Sequence, residues 1–148
     1  MKIEIVLNKG VDLKNNVLIE GFPGIGLVGT IAAGYIVEKR GMVPAGYIIS
    51  DRFPPMTTIH QGRPFFPARI YKDPKADFCV ILSEFVVPAL TVQELARDIL
   101  DFAKKNKIRQ IVSLAGMTST EDVEKPNVYA IVSNNEMEKY IKAKNVTL

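Results

Sequence analysis

The feature that most constrains the fold is a glycine-rich turn between an apolar strand and an apolar helix. It lies in the stretch VLIEGFPGIGLVGTIAAGYIVE. Gly24, Gly26 and Gly29 have the spacing G-x-G-x-x-G, which in dinucleotide-binding domains turns a strand sharply into a helix. We therefore predict a strand over residues 17–20 followed by a helix over residues 26–40, the start of an α/β fold.

These glycines have two explanations. A dinucleotide site also needs an acidic residue for the ribose, and Asp51 follows Gly29 by 22 positions. After Asp51, however, the chain enters a proline-rich segment instead of a second crossover helix. The sequence favours the other explanation, a tight turn with close helix packing. Free amides at the helix start still make a candidate anion site of Gly24, Ile25, Gly26, Leu27 and Gly29.

The helix after the glycines is apolar almost all round until Glu38. A helix without a polar face is buried on more than one side. In a domain of this size, the pattern predicts that the sheet covers one side of the helix and a partner covers the other.

The other elements follow from periodicity and turn residues. Thr91 and Glu94 have the spacing of a capping box, which predicts the start of a second helix. Further strands are predicted over residues 3–7, 46–50, 78–82, 108–114 and 128–132, and a last helix over residues 135–143. The fully apolar strand at 78–82 is expected at the centre of the sheet. The order predicts one domain over residues 1–148, a three-layer α/β sandwich around a mixed sheet.

Polar residues follow several predicted strands at their carboxyl ends, where ligands bind in open α/β sheets. This candidate crevice contains Glu20, Asp51, Arg52, Ser83, Glu84 and Thr118. The alternative is structural: Glu84 forms a salt bridge to Arg52 or caps backbone amides, and Asp51 and Arg52 form an ion pair. The set has no obvious nucleophile–base pair.

The segment after Asp51 has five prolines and no helical period. Residues 57–60 and 68–71 flank Gln61-Gly62-Arg63, which predicts a β-hairpin or two short strands. Phe65 and Phe66 are adjacent, so they face opposite sides of an extended segment. A candidate partner interface consists of Phe53, Met56, Arg63, Phe65 and Phe66. The alternative is a hairpin folded over its own domain.

Composition narrows the function classes. The net charge is +3, and no basic cluster is interleaved with aromatic residues, so we expect no nucleic-acid partner. The chain has one cysteine, Cys79, expected as a buried inert thiol, and one histidine, His60. These counts argue against a metal site and against most histidine-dependent triads. No apolar stretch reaches the length of a bilayer span, so we expect a cytoplasmic protein without a membrane partner.

Several motifs together resemble the PAC2 family, the proteasome assembly chaperones and their archaeal homologues. They are GFPGIGLVG, the helix AA-x-Y-I-V-E, the proline-containing hairpin, the strand ending LSE, the second helix and the strand ending AG-M-T. The resemblance implies an α/β sandwich similar to the nucleoside phosphorylase-like fold. It also implies a non-enzymatic, homo-oligomeric protein that binds proteasome α subunits and needs no cofactor.

Two features differ from the family pattern. Family members usually run longer, so we expect this chain to correspond to an N-terminal portion or a shortened relative. Many members also end in a hydrophobic residue, a tyrosine and one further residue, whereas this chain ends NVTL. The rival hypothesis is a nucleotide- or nucleoside-binding enzyme that uses the strand-end crevice and the glycine turn.

Overall fold

A computed structural model describes residues 3–119, 125, 127–144 and 146–147. Its main sheet has six strands in the order β1-β3-β6-β7-β2-β8, and β4 and β5 form a separate two-stranded hairpin. The strands are β1 (Glu4–Leu7), β2 (Val17–Gly21), β3 (Val43–Ile49), β4 (Thr58–His60), β5 (Arg63–Phe65), β6 (Ala68–Lys72), β7 (Phe78–Ser83) and β8 (Gln110–Ser113). The helices are α1 (Val28–Lys39), α2 (Val92–Lys105) and α3 (Asn135–Lys142).

The main sheet is mixed, and the carboxyl ends of four of its strands lie at one edge. β2 runs parallel to both β7 and β8. β6 runs antiparallel to β7 and to β3, and β1 is antiparallel to β3. The carboxyl ends of β2, β3, β7 and β8 therefore share an edge. This arrangement confirms the predicted mixed sheet.

Apolar side chains leave the sheet on both faces, and β7 shows how. Cys79 and Ile81 belong to the cluster that contains Leu95 and Phe102 of α2. Val80 and Leu82, at the alternate positions, belong to the cluster that contains Ala33 of α1. Successive strand side chains point to opposite faces, so a strand covered on both sides must be continuously apolar. The three-layer arrangement and the central position of β7 are both confirmed.

Helix α1 begins later than predicted because the glycine turn has its own geometry. Ile25–Leu27 form a short 3-10 turn in which Gly26 and Leu27 both have positive φ, 65° and 55°. The α-helical backbone starts only at Val28. A Cβ at Gly29 would overlap the carbonyl oxygen of Leu114, just after β8. The glycines at 26 and 29 thus permit the turn and the close approach of α1 to the sheet.

The predicted start of α2 is confirmed, since the helix begins at Val92 directly after Thr91, but the predicted capping box is wrong. A 3-10 turn, Ala89–Thr91, precedes the helix, and Thr91 Oγ1 donates to the carbonyl of Pro88 at 2.8 Å instead of accepting from the helix. Glu94 pairs with Arg52 instead of with the helix start. A buried threonine that satisfies its hydroxyl locally is unavailable as a cap.

The hairpin is confirmed, but its second arm differs from the prediction. Gln61 and Gly62 both have positive φ, the geometry of a two-residue hairpin turn. Such a turn pairs His60 directly with Arg63, so β5 is Arg63–Phe65. Residues 68–71 instead lie in β6 of the main sheet, between β3 and β7.

Residues Thr118–Leu148 form a second compact unit, separate from Met1–Met117. Its helix α3 confirms the predicted last helix, and Asn134 caps it by accepting from the amide of Met137 at 2.8 Å. The predicted strand at 128–132 is wrong, because Tyr129 forms only an isolated bridge with Thr147. No helix of the described residues is long and apolar enough to cross a bilayer.

Candidate functional site

The carboxyl edge of the sheet carries the predicted crevice residues, but their side chains do not converge. Glu20, Asp51 and Ser83 lie at or just after the ends of β2, β3 and β7, which point the same way. The structure assigns each of them to a different local contact. Thr118 is the first residue of the second unit and is exposed.

Glu84 anchors the hairpin to the sheet through Arg69 and His60. Its Oε1 accepts from Arg69 Nη2 and lies 2.7 Å from His60 Nε2. Arg69, in β6, also donates to Thr58 Oγ1 at 2.6 Å and to the carbonyl of Phe66 at 3.0 Å. Thr58 and Phe66 of the hairpin region and Glu84 just after β7 therefore meet on one guanidinium. The expected salt bridge of Glu84 exists, but with Arg69 and His60 instead of Arg52.

The charge state of Glu84 follows from these contacts. Partial burial favours the neutral carboxyl group, but the hydrogen bonds from Arg69 and His60 outweigh this effect. Together they hold the pKa of Glu84 below its ordinary value. The Arg69 side chain is only 5% exposed. A buried guanidinium needs a permanently ionised partner, so this carboxylate serves as a structural counter-ion.

The other crevice residues also have local structural contacts. Arg52 Nη1 lies 2.6 Å from Glu94 Oε2 and so ties the loop after β3 to α2. Asp51 is exposed beside the hydroxyl of Ser50. The Ser83 hydroxyl is buried and donates to the carbonyl of Phe85 at 2.7 Å. A buried serine committed to a carbonyl has no base to activate it as a nucleophile.

Glu20 stands apart from these pairs, in an open groove beside α2. We call this the α2 groove: a cavity of about 450 Å³ whose walls include Glu20, Phe22, Val92, Ala96, Leu100 and Ile111. One carboxylate oxygen of Glu20 accepts from the amide of Phe22 at 2.8 Å. The groove lies at the carboxyl ends of β2 and β8, which is where α/β sheets bind ligands.

The candidate anion site at the glycine turn is exposed, and one of its amides is used within the turn. The amide of Leu27 donates to the carbonyl of Gly24 at 3.0 Å, which closes the 3-10 turn. Gly24, Ile25 and Gly26 are exposed and Gly29 is buried beneath them. The roles of Gly26 and Gly29 are explained by the turn and the packing, so anion binding here stays a prediction.

The candidate interface residues divide between core and surface. Phe53 packs on Phe85 with ring centroids 4.9 Å apart and adjoins the core. Phe66 is about half exposed and stacks on Tyr47 at 4.2 Å. Phe65 lies under the Arg69 guanidinium, 5.6 Å from its carbon. In the same set, Met56 and Arg63 are exposed.

The sequence did not predict two features of the site, the network around Arg69 and the α2 groove. Arg69, the hub of the hairpin network, gave no signal, because one arginine inside a strand resembles any exposed strand residue. The α2 groove did leave a signal. Val92, Ala96 and Leu100 add a second apolar line beside the buried Leu95 and Ile99, which makes the apolar face wider than one packing contact requires.

Nothing in the described part of the chain resembles a metal centre, since no three His, Cys, Asp or Glu side chains cluster there. Cys79 is buried in β7, and burial raises the pKa of its thiol to about 12. The predicted inert thiol is thereby confirmed, because a neutral buried thiol is a poor nucleophile.

Known proteins match this chain in sequence. The profile of the PAC2 family matches residues 18–147. An uncharacterized protein of Methanocaldococcus jannaschii is 33% identical over 128 residues, which make up 86% of this chain and 51% of that protein. A second uncharacterized protein of that organism is 24% identical over 151 residues, covering 97% of this chain and 58% of that protein.

Two solved structures are similar over almost the whole chain. Pyrococcus furiosus PbaA, an archaeal homologue of proteasome-assembly chaperone, gives a TM-score of 0.90 at 32% identity and covers 99% of this chain and 62% of its own. Pyrococcus furiosus PbaB, an archaeal proteasome activator, gives 0.79 at 25% identity and covers 99% and 66%. The predicted fold is confirmed, and the chain spans about half to two thirds of the length of these relatives.

Proposed function

Because the chain belongs to the PAC2 family, we propose that it binds proteasome α subunits during proteasome assembly, as a homo-oligomer and without catalysing a reaction. The likeness to a homologue of proteasome-assembly chaperone supports the general role.

The observation that carries the proposal is the uncovered apolar face of α1. The helix buries only Gly29 and Ala33 completely. On the side away from the sheet, Val28, Ile31 and Tyr35 are each between 48% and 64% exposed. They follow one another at intervals of three and four residues, so they form a continuous stripe. Contiguous exposed apolar surface marks a protein interaction site.

The hairpin supplies a second apolar surface. Ile59, Phe66 and Met56 are exposed there, and the network around Arg69 fixes the position of the segment. Rigid aromatic and methionine side chains with a nearby arginine are enriched in protein interfaces. We assign α1 to self-association and the hairpin to the α subunit, because α1 offers no charged rim before Glu38.

The absence of catalysis is supported by the way the crevice residues are used. Ser83, Arg52 and Glu84 each hold a structural contact that would break if the side chain turned to a substrate. The rival function is a nucleotide- or nucleoside-binding enzyme that uses the glycine turn and the crevice. Ligand binding to the native state raises stability by about 2.7 kcal/mol at 100-fold excess over Kd, so a panel of nucleotides and nucleosides that raises Tm supports the rival.

Sedimentation velocity tests the proposal directly. The chain is run alone and mixed with purified proteasome α subunit. We expect a self-associated species that sediments faster when the α subunit is added. A monomer at about micromolar concentration that does not shift with the α subunit would contradict both parts of the proposal.

A further inference from the structure

The α2 groove is more apolar than the fold of the chain requires. Val92, Ala96 and Leu100 follow one another at intervals of four residues and form one line along α2. Val92 and Leu100 remain 48% and 50% exposed, whereas Leu95 and Ile99 on the neighbouring line are buried. Burying a large apolar side chain contributes favourably to binding. A partner that covered this line would gain that contribution from residues already held rigidly on a long helix.

The groove also carries a charge. Among the described residues that line it, Glu20 is the sole charged one. Its Oε1 accepts from the amide of Phe22, and within the described residues its Oε2 has no hydrogen-bond partner. The carboxylate therefore lies at an apolar wall with one oxygen open. A cationic group that reaches this oxygen would form a charge-assisted hydrogen bond.

We infer that the α2 groove binds a basic amphipathic segment of a protein partner. Apolar side chains of the segment pack on Val92, Ala96 and Leu100, and a lysine or arginine reaches Oε2 of Glu20. This mode is a helix or turn laid in a hydrophobic groove, with its orientation fixed by one charge pair. The inference deepens the proposed function and rests on it in one respect, because it assigns the segment to the proteasome α subunit.

Shape and charge argue against three other occupants: a whole domain, an acidic segment and the α1 face of a second copy. A cavity of about 450 Å³ accepts a few side chains but not a second domain. An acidic segment would place a second carboxylate beside Glu20, and like charges repel. On α1, the exposed line of a second copy contains Val28, Ile31 and Tyr35 without a cation between them, so that face does not match the charge of Glu20.

The test uses the full chain and a synthetic probe. The probe is an amphipathic helical peptide of leucine and lysine, and its matched control carries glutamate at each lysine position. We expect the basic peptide to shift the NMR amide signals of Ala96, Leu100 and Ile111, and the acidic peptide to leave them unchanged. Fluorescence anisotropy then gives the affinities, which should weaken as salt rises because salt screens the charge pair.

Variants separate the groove from the rest of the surface. Glu20→Gln keeps an oxygen for the Phe22 amide and removes the charge, so we expect about tenfold weaker binding of the basic peptide. Leu100→Ser should weaken binding by a similar factor. Val43→Ser, a change on β3 at a residue about as exposed as Leu100, is the matched control and should leave the affinity unchanged. Thermal melts of all three variants verify that the fold is intact.

The inference is overturned if the two peptides bind equally, if Glu20→Gln has no effect, or if the groove amides shift with concentration of the chain alone. The last result would assign the groove to a second copy.

The same variants are then titrated with the proteasome α subunit. If wild type binds the α subunit but Glu20→Gln binds as well, the inference fails and the proposed function stands. If the basic peptide binds the groove but the α subunit does not bind, the proposed function fails and the groove chemistry stands.

Discussion

At the scale of single residues, the structure distinguishes glycines that are required from those that are not. A Cβ at Gly29 would overlap the carbonyl oxygen of Leu114, and a Cβ at Gly21 would overlap Ala33. Gly34 lies in the same helix as Gly29, yet a Cβ there would meet nothing within 4 Å. Sequence spacing treats all of these glycines alike. Only the distance between α1 and the strand ends separates them.

The pair Gly29→Ala and Gly34→Ala tests this distinction. Gly29→Ala forces α1 away from a backbone carbonyl and should destabilise the chain by about 1–3 kcal/mol. Gly34→Ala removes the backbone entropy of glycine in an open helix position and should stabilise it by up to about 1 kcal/mol. Chemical denaturation of the two variants checks the signs. Equal effects would show that α1 does not approach the sheet as closely as described.

The ion pairs differ in burial and therefore in expected stability. Glu84 forms an ion pair with the buried Arg69, whereas Glu94 forms one with the more exposed Arg52. Glu84→Gln should cost about 1.5–3 kcal/mol, because a buried guanidinium loses a charged acceptor. Glu94→Gln should cost less than about 1 kcal/mol, since exposed pairs contribute little. Urea unfolding of both variants at neutral pH gives the comparison.

The lowered pKa of Glu84 also predicts a pH dependence. A carboxyl group whose pKa is lower in the folded state stabilises the fold above its unfolded pKa. That contribution is lost as the pH falls from the ordinary glutamate range through the lowered value. We expect the stability of wild type to fall in this acidic window more steeply than that of Glu84→Gln. Parallel slopes for the two proteins would contradict the assignment.

At the scale of elements, α1 and α2 differ in how apolar and charged residues are distributed around the helix. α2 has charged residues on one side and a clear apolar stripe, so its orientation on the sheet follows from its sequence. α1 is apolar almost all round, and its sequence does not indicate which side faces the sheet. The structure shows that the small residues Gly29 and Ala33 face inward while Ile31 and Tyr35 face outward. Close packing against the sheet selects the small side chains.

The outward face of α1 gives a prediction at the same scale. Ile31→Ser and Tyr35→Ser remove exposed apolar surface and should leave the unfolding free energy of the monomer within about 0.5 kcal/mol of wild type. Self-association should weaken, because the proposed interface loses its apolar side chains. Sedimentation velocity measures the effect. Leu90→Ser is the control, since Leu90 is 94% exposed away from α1, and a loss of association there would contradict the assignment.

At the scale of the whole molecule, sheet order and the location of the core matter most. β2 lies between β7 and β8, although β7 follows it by more than fifty residues along the chain. Both core clusters consist of residues within Met1–Met117. All buried apolar residues of the described chain lie in the same unit. The first unit therefore contains a complete hydrophobic core.

A chain ending at Met117 tests this location of the core. We expect it to unfold cooperatively, at a guanidinium midpoint close to that of the 148-residue chain, because no described residue beyond it is a buried apolar one. Circular dichroism during denaturant titration is the measurement. A broad, non-cooperative transition would instead support the prediction of one domain over residues 1–148.

The sequence by itself determined the local structure and the family. Alternation and apolar runs gave most strands, the three helices and the central position of β7, since side-chain periodicity acts over a few residues. It failed at 128–132, where an apolar run has only one bridging partner. It also failed at Thr91, whose hydroxyl binds a nearer carbonyl. Both errors have the same cause. A local pattern indicates which structure a segment can adopt, but it does not indicate which hydrogen-bond partner lies close enough to it.

Only the tertiary structure decided which distant groups meet. The sequence predicts a salt bridge of Glu84 to Arg52, but the antiparallel pairing of β6 with β7 brings Arg69 beside Glu84 instead. The uncovered face of α1 and the open oxygen of Glu20 likewise depend on which segments of the chain pack over them. The free energies that settle these choices come from packing between segments far apart in the chain. Local sequence patterns do not contain that information.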